Sequence, residues 1–309
     1  MKIAIIGRGE ILFKVMERIH EEGFEIPLVV TSKEAPEYTK TSSDFKMFAE
    51  KIGSNFIHNP KINVKDLKKF CNESNSFDLA VSINYTGIIT QDVIDLFRLG
   101  ILNMHAGDLP RYKGNAVVAW AIINYEKKIV NCIHKMEGSE LDSGDIIVKE
   151  TLNINVDTKI SEIFNWLYSS APNLFIESIS KLKNDPNYIM IDKNNNNSKS
   201  MRCYPRMPID GKIIWSKSSL DIHNLIRASS HPFQGAFTSF NGKKVAIFSS
   251  KMVETSETFL AIPGQILNFN SNDVEVATAD GKLIVSEFNF EDKFLKPNEF
   301  IKTIRSRFV

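Results

Sequence analysis

The feature that most constrains this chain is the alternation of short apolar runs with amphipathic helical segments in its first part. The run "KIAIIG" at residues 2–7 ends in a glycine turn, and apolar residues recur at helical spacing in the segment behind it. The runs "IPLVV", "LAVSI" and "ILNM" repeat this pattern. Such alternation is typical of strands joined by crossover helices. It predicts an α/β fold with a Rossmann-like, mostly parallel sheet and helices on both faces.

The composition changes at residues 183–211, which are rich in Asn and Pro and have little periodicity. Beyond them, short strand-like runs are separated by Gly or Asn turns, with one helical segment, "SLDIHNLIRASS". We therefore predict a catalytic domain at residues 1–183, a linker at 184–211 and a small β-barrel-like (OB-like) domain at 212–309. The four consecutive asparagines at 194–197 are typical of a tolerant surface loop.

Two local boundaries follow from the helix signals. Ser43 is the expected N-cap of the second helix, and a helix is expected between Thr90 as its cap and Gly100 at its exit.

Composition excludes several classes of protein. The 309 residues are 43% hydrophobic, enough for a sizeable core, and the formal net charge of +1 does not favour a nucleic-acid or membrane partner. Cys71, Cys132 and Cys203 lie far apart without metal or disulfide spacing, which favours a reducing, cytoplasmic setting. No signal-like segment and no apolar stretch of roughly 18 residues occurs, so no membrane span is expected.

The turn Gly7-Arg8-Gly9 resembles the start of a dinucleotide fingerprint, but Leu12 stands where the third glycine belongs. An oxidoreductase interpretation rests on these two glycines alone. A plain strand-to-helix turn explains them equally well. We keep Arg8 and the helix start as a candidate site for an anionic part of a ligand.

The stretch "ILNMHAGDLPRYKGN" at residues 101–115 follows a predicted strand, where ligands gather in open α/β sheets. Asn103 and His105 are two residues apart on that strand and therefore share a face. Asp142, in the turn "ELDSGDII", is a candidate third partner, and a plain turn aspartate is the alternative.

These residue types suit acyl transfer to an amine. A neutral His accepts the proton of the attacking amine, and an Asn N–H stabilises the oxyanion of a tetrahedral intermediate. A carboxylate orients the imidazole and favours its protonated form. No covalent nucleophile is needed.

The segments "FDLAVSINYTGIITQDVIDLFRLGILNMHAGDLPRYKGNA" and "SELDSGDI" resemble the 10-formyltetrahydrofolate-dependent formyltransferases, with their Asn-x-His pair, "LPRYRG" loop and "DTG"-like turn. The resemblance implies that Asn103, His105 and Asp142 form the catalytic set and that 10-formyltetrahydrofolate is the formyl donor. It also implies that the pterin binds beside the main chain of the "NYTGI" loop and of the loop leading to Asp142. These cofactor-binding positions are Asn84, Tyr85, Thr86, Gly87, Ile88 and Leu141.

The second part agrees, because "IIWSKSSLDIHNLIRASSHPFQGAF" and "IPGQIL" resemble the C-terminal barrel of methionyl-tRNA formyltransferases and of the bacterial 4-amino-arabinose enzyme. The tRNA enzymes carry a basic insertion where this chain has "TSKEAPEYTKTSSDF", with lysines offset by glutamates. The tryptophan at position 120 resembles the one that sugar N-formyltransferases carry after the "LPRYRG" loop. Plain helix packing is the alternative explanation for Trp120. The expected acceptor is a dTDP-, UDP- or GDP-linked amino deoxysugar for a surface glycan such as O-antigen, with Lys113, Gly114, Trp120 and Arg8 as substrate-binding residues.

Several alternatives stay open at this point. Methionyl-tRNA formylation uses the same chemistry and is favoured by one basic cluster, made of Arg202, Arg206, Lys212 and Lys217. A non-enzymatic folate-binding module would not need the catalytic set. A homodimer is a candidate assembly, with dimerisation or substrate binding as the alternative roles of the second domain. The remaining histidines lack metal-ligand spacing, so no metal is expected and packing or surface roles are expected for His58, His134, His223 and His231.

Overall fold

A computed structural model describes residues 1–70, 76–138, 140–193, 199–254 and 256–309. Cys71 and the asparagines at 194–197 lie outside the described residues. The chain divides into two compact units. The first comprises Met1–Gly114, Ile129–Leu152 and Asn165–Cys203; the second comprises Asn115–Lys128, Asn153–Phe164 and Tyr204–Val309. The domain boundaries at residues 183 and 212 stay predictions.

The first unit is built on a seven-stranded sheet of order β3-β2-β1-β4-β5-β7-β8. Its strands are β1 (Ile3–Gly7), β2 (Leu28–Thr31), β3 (Asn55–His58), β4 (Leu79–Ile83), β5 (Ile101–His105), β7 (Lys128–Lys135) and β8 (Ile146–Asn153). The first five strands in this order pair in parallel, and β7 runs antiparallel to β5. A separate pair consists of β6 (Tyr112–Gly114) and β9 (Met201–Cys203).

Helices connect and cover these strands. They are α1 (Glu10–Glu21), α2 (Ser42–Lys51), α3 (Val64–Leu67), α4 (Gln91–Ile94) and most of α6 (Ile160–Asn184), whereas α5 (Val117–Ile123) lies in the second unit. Ala4 and Ile6 of β1 pack with Leu67 of α3 and Val93 of α4, and α1 contacts the same strand. The mixed, largely parallel sheet with its helices confirms the predicted fold class.

The central strands read as continuous apolar runs because they are buried on both faces. Gly7 ends β1 where a side chain would not fit, since a Cβ there would lie 1.9 Å from the carbonyl oxygen of Ile83 on β4. The glycine turn therefore lets β1 and β4 stay in register up to the edge of the sheet where the loops emerge.

Two predicted helix boundaries are wrong. The N-cap of α2 is Thr41 rather than Ser43, because the Asp44 carboxylate accepts the backbone N–H of Thr41 in a capping box. The helix predicted between Thr90 and Gly100 stops at Ile94, because the chain behind it turns and Phe97 joins a parallel bridge with Phe77.

The second unit contains an antiparallel sheet of order β10-β11-β14-β13-β12, with β15 also pairing β14. The strands are β10 (Ala236–Phe240), β11 (Lys243–Met252), β12 (Ile266–Phe269), β13 (Asp273–Ala277), β14 (Lys282–Phe290) and β15 (Lys293–Leu295). Helices α7 (Ser219–Ser229) and α8 (Pro297–Phe300) accompany it. Trp215, Phe240, Phe288 and Phe308 lie in its core. This sheet confirms the prediction of a β-rich second part.

Within the described ranges, none of the helices is long and apolar enough to cross a membrane.

Candidate active site

The pairing of β5 with β7 fixes the centre of the site. Asn103 lies directly opposite His134 in the antiparallel ladder, and His105 lies opposite Cys132. Side chains of directly paired residues share a face of the sheet. The alternation along β5 places Asn103 and His105 on one face, as predicted, and the register adds His134 to that face.

The Asp142 carboxylate joins this group from the loop between β7 and β8. Its Oδ2 lies 3.4 Å from Nδ1 of His105, and its Oδ1 lies 3.6 Å from Nε2 of His134. The backbone N–H of Gly114 donates to Oδ2 at 2.9 Å. Asp142 has a φ of 51°, in the left-handed region that Asp tolerates better than most residues. The structure thus brings Asn103, His105 and Asp142 together.

Both ring nitrogens of His105 face hydrogen-bond acceptors. Nδ1 faces Asp142, and Nε2 lies 2.5 Å from the carbonyl oxygen of Tyr112. Gly107 allows this approach, because a Cβ there would lie 2.7 Å from Nε2. For His105 to accept a proton at Nε2, the Tyr112 carbonyl has to give way to the incoming amine.

Burial and charge act in opposite directions on these groups. Burial is the largest effect on His105 and lowers its pKa, against the opposing influence of the Asp142 charge and the Tyr112 carbonyl. Burial alone would raise the pKa of Asp142, but the neighbouring rings of His134 and His105 and the Gly114 N–H together hold it at about 2. The site therefore pairs an ionised carboxylate with an imidazole that burial keeps neutral.

His134 is a member of this cluster that the sequence pattern did not reveal. Only 2% of its side chain is exposed, its Nε2 lies 3.2 Å from Nδ2 of Asn103, and its Nδ1 lies 2.9 Å from the carbonyl oxygen of Lys135. The packing or surface role expected for His134 does not account for these polar contacts. The sequence predicts a strand that carries His134 two residues after Cys132, but it does not give the partner strand or the pairing register.

The "NYTGI" loop follows β4, the neighbour of β5. The Nδ2 of Asn84 donates to the Tyr38 hydroxyl at 3.0 Å, and the Tyr85 hydroxyl donates to the Asn59 carbonyl at 2.7 Å. A Cβ on Gly87 would lie 2.0 Å from the Pro60 carbonyl oxygen. The side chains of Asn84 and Tyr85 are thus engaged within the protein, and the role of this loop toward a cofactor stays a prediction.

Two apolar side chains near this loop are open to solvent. Ile88 is 83% exposed and Leu141, beside Asp142, is 48% exposed. Thr86 is exposed as well. The backbone N–H of Gly138 donates to Gln91 Oε1 at 3.0 Å, which ties the loop before Asp142 to the helix that follows "NYTGI".

Arg8 joins three loops at the ends of strands. Its Nη1 donates to the Lys33 carbonyl at 2.6 Å, its Nε donates to the Asn84 carbonyl at 3.0 Å, and its guanidinium lies 5.6 Å from the Tyr38 ring centre. Glu10, the first residue of the neighbouring helix, accepts the backbone N–H groups of Thr39 and Lys40 with its carboxylate. These contacts hold the loops, and an anion at the helix start would meet the Glu10 charge.

Lys113 and Gly114 line the approach to Asp142. Lys113 pairs with Glu140 at 2.8 Å, and its side chain is only 12% exposed. A cavity of about 370 Å³ lies beside them, bordered by Asp142, Leu109, Pro110, Ile146 and the ion pair of Lys193 with Glu137. Charged and aliphatic groups therefore share its wall.

Trp120 belongs to the second unit. Its Nε1–H donates to the Tyr204 carbonyl at 2.8 Å, and the Arg206 guanidinium lies 6.0 Å from its ring centre. Arg206 donates through Nη2 to the Asp210 carbonyl and to Ser229 Oγ. These contacts fit the packing alternative for Trp120, and its role toward a substrate stays a prediction.

Across the described parts of the chain, no group of three or more His, Cys, Asp or Glu residues is arranged to hold a metal ion.

Comparison with known protein families assigns both parts of the chain. Residues 1–179 match the formyl transferase family, and residues 207–305 match the formyl transferase C-terminal domain. The chain belongs to the formyl transferase family. This membership confirms the resemblance seen in the sequence and makes the protein an enzyme of the formyltransferase class.

Among curated relatives of this formyl transferase, the methionyl-tRNA formyltransferase of Clostridium tetani is 30% identical over 304 residues, covering 95% of this chain and 93% of its own. The methionyl-tRNA formyltransferase of Ruminiclostridium cellulolyticum is 26% identical over 306 residues, covering 98% of this chain and 96% of its own.

Solved structures with a similar fold include enzymes named for sugar substrates rather than for methionyl-tRNA. WlaRD, a sugar 3N-formyl transferase crystallised with dTDP and 5-N-formyl-THF, has a TM-score of 0.68 at 19% identity, covering 95% of this chain and 99% of its own. The N-formyltransferase of Helicobacter canadensis, in complex with folinic acid and dTDP-3-aminofucose, has a TM-score of 0.66 at 20% identity, covering 93% and 99%. HypX of Aquifex aeolicus in complex with tetrahydrofolic acid has a TM-score of 0.63 at 16% identity. The match covers 93% of this chain and 43% of the HypX chain. At these identities the likeness concerns the fold.

Proposed function

We propose that this formyl transferase moves the formyl group of 10-formyltetrahydrofolate to the primary amine of a nucleotide-linked amino deoxysugar. The observation that carries the chemistry is the cluster of Asn103, His105 and Asp142 at the carboxyl end of β5. A buried imidazole beside an ionised carboxylate, with an amide two residues away, provides a proton acceptor and an oxyanion donor in one place.

In this mechanism the amine nitrogen attacks the formyl carbon, and a new C–N bond forms while the carbonyl oxygen becomes an oxyanion. Asn103 donates an N–H to that oxygen, an interaction worth on the order of 3 kcal/mol in comparable sites. His105 takes the proton that the amine loses, and the Asp142 carboxylate stabilises the resulting imidazolium. His105 then returns the proton to the leaving nitrogen of the folate as its bond to the formyl carbon breaks.

The formyl donor is placed by the "NYTGI" loop and by Leu141. Any contact of this loop with a planar heterocycle falls to its main chain beyond the Asn84 carbonyl, because Tyr38 and Asn59 hold the side chains of Asn84 and Tyr85 and Arg8 holds that carbonyl. The exposed apolar side chains of Ile88 and Leu141 suit contact with the donor's rings. The crystallisation of WlaRD and HypX with folate compounds supports a folate as the formyl donor.

The acceptor is placed near Lys113 and Gly114. The cavity beside Asp142, at about 370 Å³, is of the size range of small-molecule sites. Its aliphatic wall suits a deoxysugar. Its two lysines, Lys113 and Lys193, are paired with Glu140 and Glu137 and have to exchange these partners to bind the phosphates of a nucleotide. Arg8 and Trp120 stay candidates for the same substrate. WlaRD, named a sugar 3N-formyl transferase, and the Helicobacter canadensis enzyme in complex with dTDP-3-aminofucose support this acceptor class.

Methionyl-tRNA formylation is the second candidate, favoured by the 30% identity to the Clostridium tetani enzyme along nearly the whole chain. Of the basic cluster that would favour tRNA, Arg206 is partly buried, and its Nη2 donates to protein oxygens. That engagement weakens its use as a phosphate contact.

One assay separates the two candidates. The purified chain with 10-formyltetrahydrofolate is given charged initiator methionyl-tRNA or a panel of dTDP-, UDP- and GDP-linked amino sugars, and each acceptor is analysed for the added formyl group. Formylation of an amino sugar with none of the tRNA is expected. Efficient formylation of the tRNA with none of the sugars overturns the proposed acceptor.

A further inference from the structure

The two nitrogens of His134 can be assigned from their partners. Nδ1 lies 2.9 Å from the carbonyl oxygen of Lys135, and a carbonyl oxygen only accepts hydrogen bonds. Nδ1 therefore carries the proton. In the neutral ring this leaves Nε2 with a lone pair, so that Nε2 acts as an acceptor.

The acceptor on His134 fixes the direction of the Asn103 amide. Nε2 lies 3.2 Å from Nδ2 of Asn103, so the amide nitrogen donates one of its hydrogens to the ring. With the nitrogen end held there, the amide keeps its second N–H for another acceptor. Asp142 Oδ1 lies farther from Nε2, at 3.6 Å, which is beyond ordinary hydrogen-bond length.

We infer that His134 is a positioning residue that holds the amide of Asn103 with its N–H directed at the developing oxyanion. The inference rests on the proposed formyl transfer. Without this acceptor, the amide can rotate about its last torsion and present its oxygen instead, which repels an oxyanion. His134 is well suited to the task, because its ring is fixed at Nδ1, almost wholly buried and directly opposite Asn103 in the ladder.

Three variants test this role. His134→Leu removes the acceptor, whereas His134→Gln retains a side-chain oxygen that can accept the Asn103 N–H. The matched control is Asn131→Leu, on the same strand, which removes a buried hydrogen bond of 3.1 Å to Ser170 without touching the cluster. If His134→Leu fails to fold, His134→Met takes its place, because Met adapts to irregular space.

In steady-state kinetics, kcat of His134→Leu is expected to fall about 10- to 100-fold, by analogy with the outer-shell partners that orient metal-ligating side chains. KM for the formyl donor stays unchanged. His134→Gln recovers most of the loss, and Asn131→Leu lowers Tm while its kcat stays that of the wild type. Wild-type kcat in His134→Leu, or equal loss in the Leu and Gln variants, overturns the inference.

A second readout does not depend on the acceptor. The side-chain NH2 signals of Asn103 in a ¹⁵N-labelled sample are assigned by their loss in Asn103→Asp. These signals are expected to shift in His134→Leu and to stay in place in Asn131→Leu. Unchanged signals in His134→Leu overturn the inference, whereas failure of the wild type to formylate any acceptor overturns the proposed function alone.

Discussion

One oxygen of Asp142 accepts the backbone N–H of Gly114 at 2.9 Å, and the same oxygen lies 3.4 Å from Nδ1 of His105. The carboxylate therefore links the His105 ring to the loop that leads away from β5. Its two functions, as a hydrogen-bond acceptor and as a charge, can be separated by substitution.

We expect Asp142→Asn to lose activity while it stays folded. The amide oxygen can still accept the Gly114 N–H, but the variant has no charge to stabilise a protonated His105. The expected decrease in kcat is on the order of 100-fold or more. Affinity for the formyl donor, measured by fluorescence titration, should change little. A kcat within a factor of two of the wild type would show that the charge is not used.

The Asp142 carboxylate also makes stability depend on pH. Its pKa in the folded chain is about 2, below the value of 3.8 for an unperturbed carboxyl, so the unfolded state binds the proton more readily. The stabilisation is fully present above about pH 5 and is lost as the pH falls through 3.8 toward 2. It amounts to about 2.5 kcal/mol, because one pKa unit corresponds to roughly 1.4 kcal/mol.

Urea denaturation at pH 7 and at low pH checks this expectation. The difference in unfolding free energy between wild type and Asp142→Asn should shrink as the pH falls. A constant difference across the range would contradict the assignment of a depressed pKa.

The His105 ring sets the pH dependence of activity. Burial lowers its pKa, so that the neutral, proton-accepting form persists below the ordinary midpoint of about 6.5. Activity is expected to hold above that midpoint and to fall on the acidic side, with an apparent pKa in kcat/KM below 6.5. The pH profile of kcat/KM, with donor and acceptor varied separately, measures it. An acidic limb centred above pH 7 would argue against a buried neutral base.

Gly114 is expected to be required for its lack of a side chain as well as for its backbone angle. Its φ is +98°, and a Cβ would lie 2.2 Å from the Cys203 carbonyl oxygen. Gly23 offers the matched control, because its φ is +78° and a Cβ at that position would have no heavy atom within 4 Å.

Gly23→Ala should cost about 1–2 kcal/mol of unfolding free energy from its backbone conformation alone. Gly114→Ala should cost more, because the strand pair β6–β9 has to separate. Chemical denaturation of both variants compares them. Equal costs would mean that the close approach to Cys203 is relieved without loss.

The sequence predicted those parts of the site that depend only on the alternation of side chains along one strand. Asn103 and His105 share a face because strand side chains alternate, and this needs no knowledge of the neighbouring strand. His134 was missed because its position depends on the register between β5 and β7. A slip by one residue would place it on the opposite face. Register is fixed by burial and pairing of the whole sheet, which a single strand pattern does not contain.

The two misplaced helix boundaries have different causes. The Thr41 cap is a local signal, because it depends on Asp44 three residues later. The early end of α4 depends on Phe97 joining Phe77, a contact between residues far apart in the chain. Propensity alone favoured a longer helix there.

The most direct test of the account is transfer of a labelled formyl group from 10-formyltetrahydrofolate to an amino sugar in a single turnover. The wild type should place the label on the amine, whereas Asn103→Ala and His105→Ala should bind the donor with unchanged affinity and transfer roughly 100-fold or more slowly. Near-normal transfer by either variant would contradict the assigned roles of Asn103 and His105.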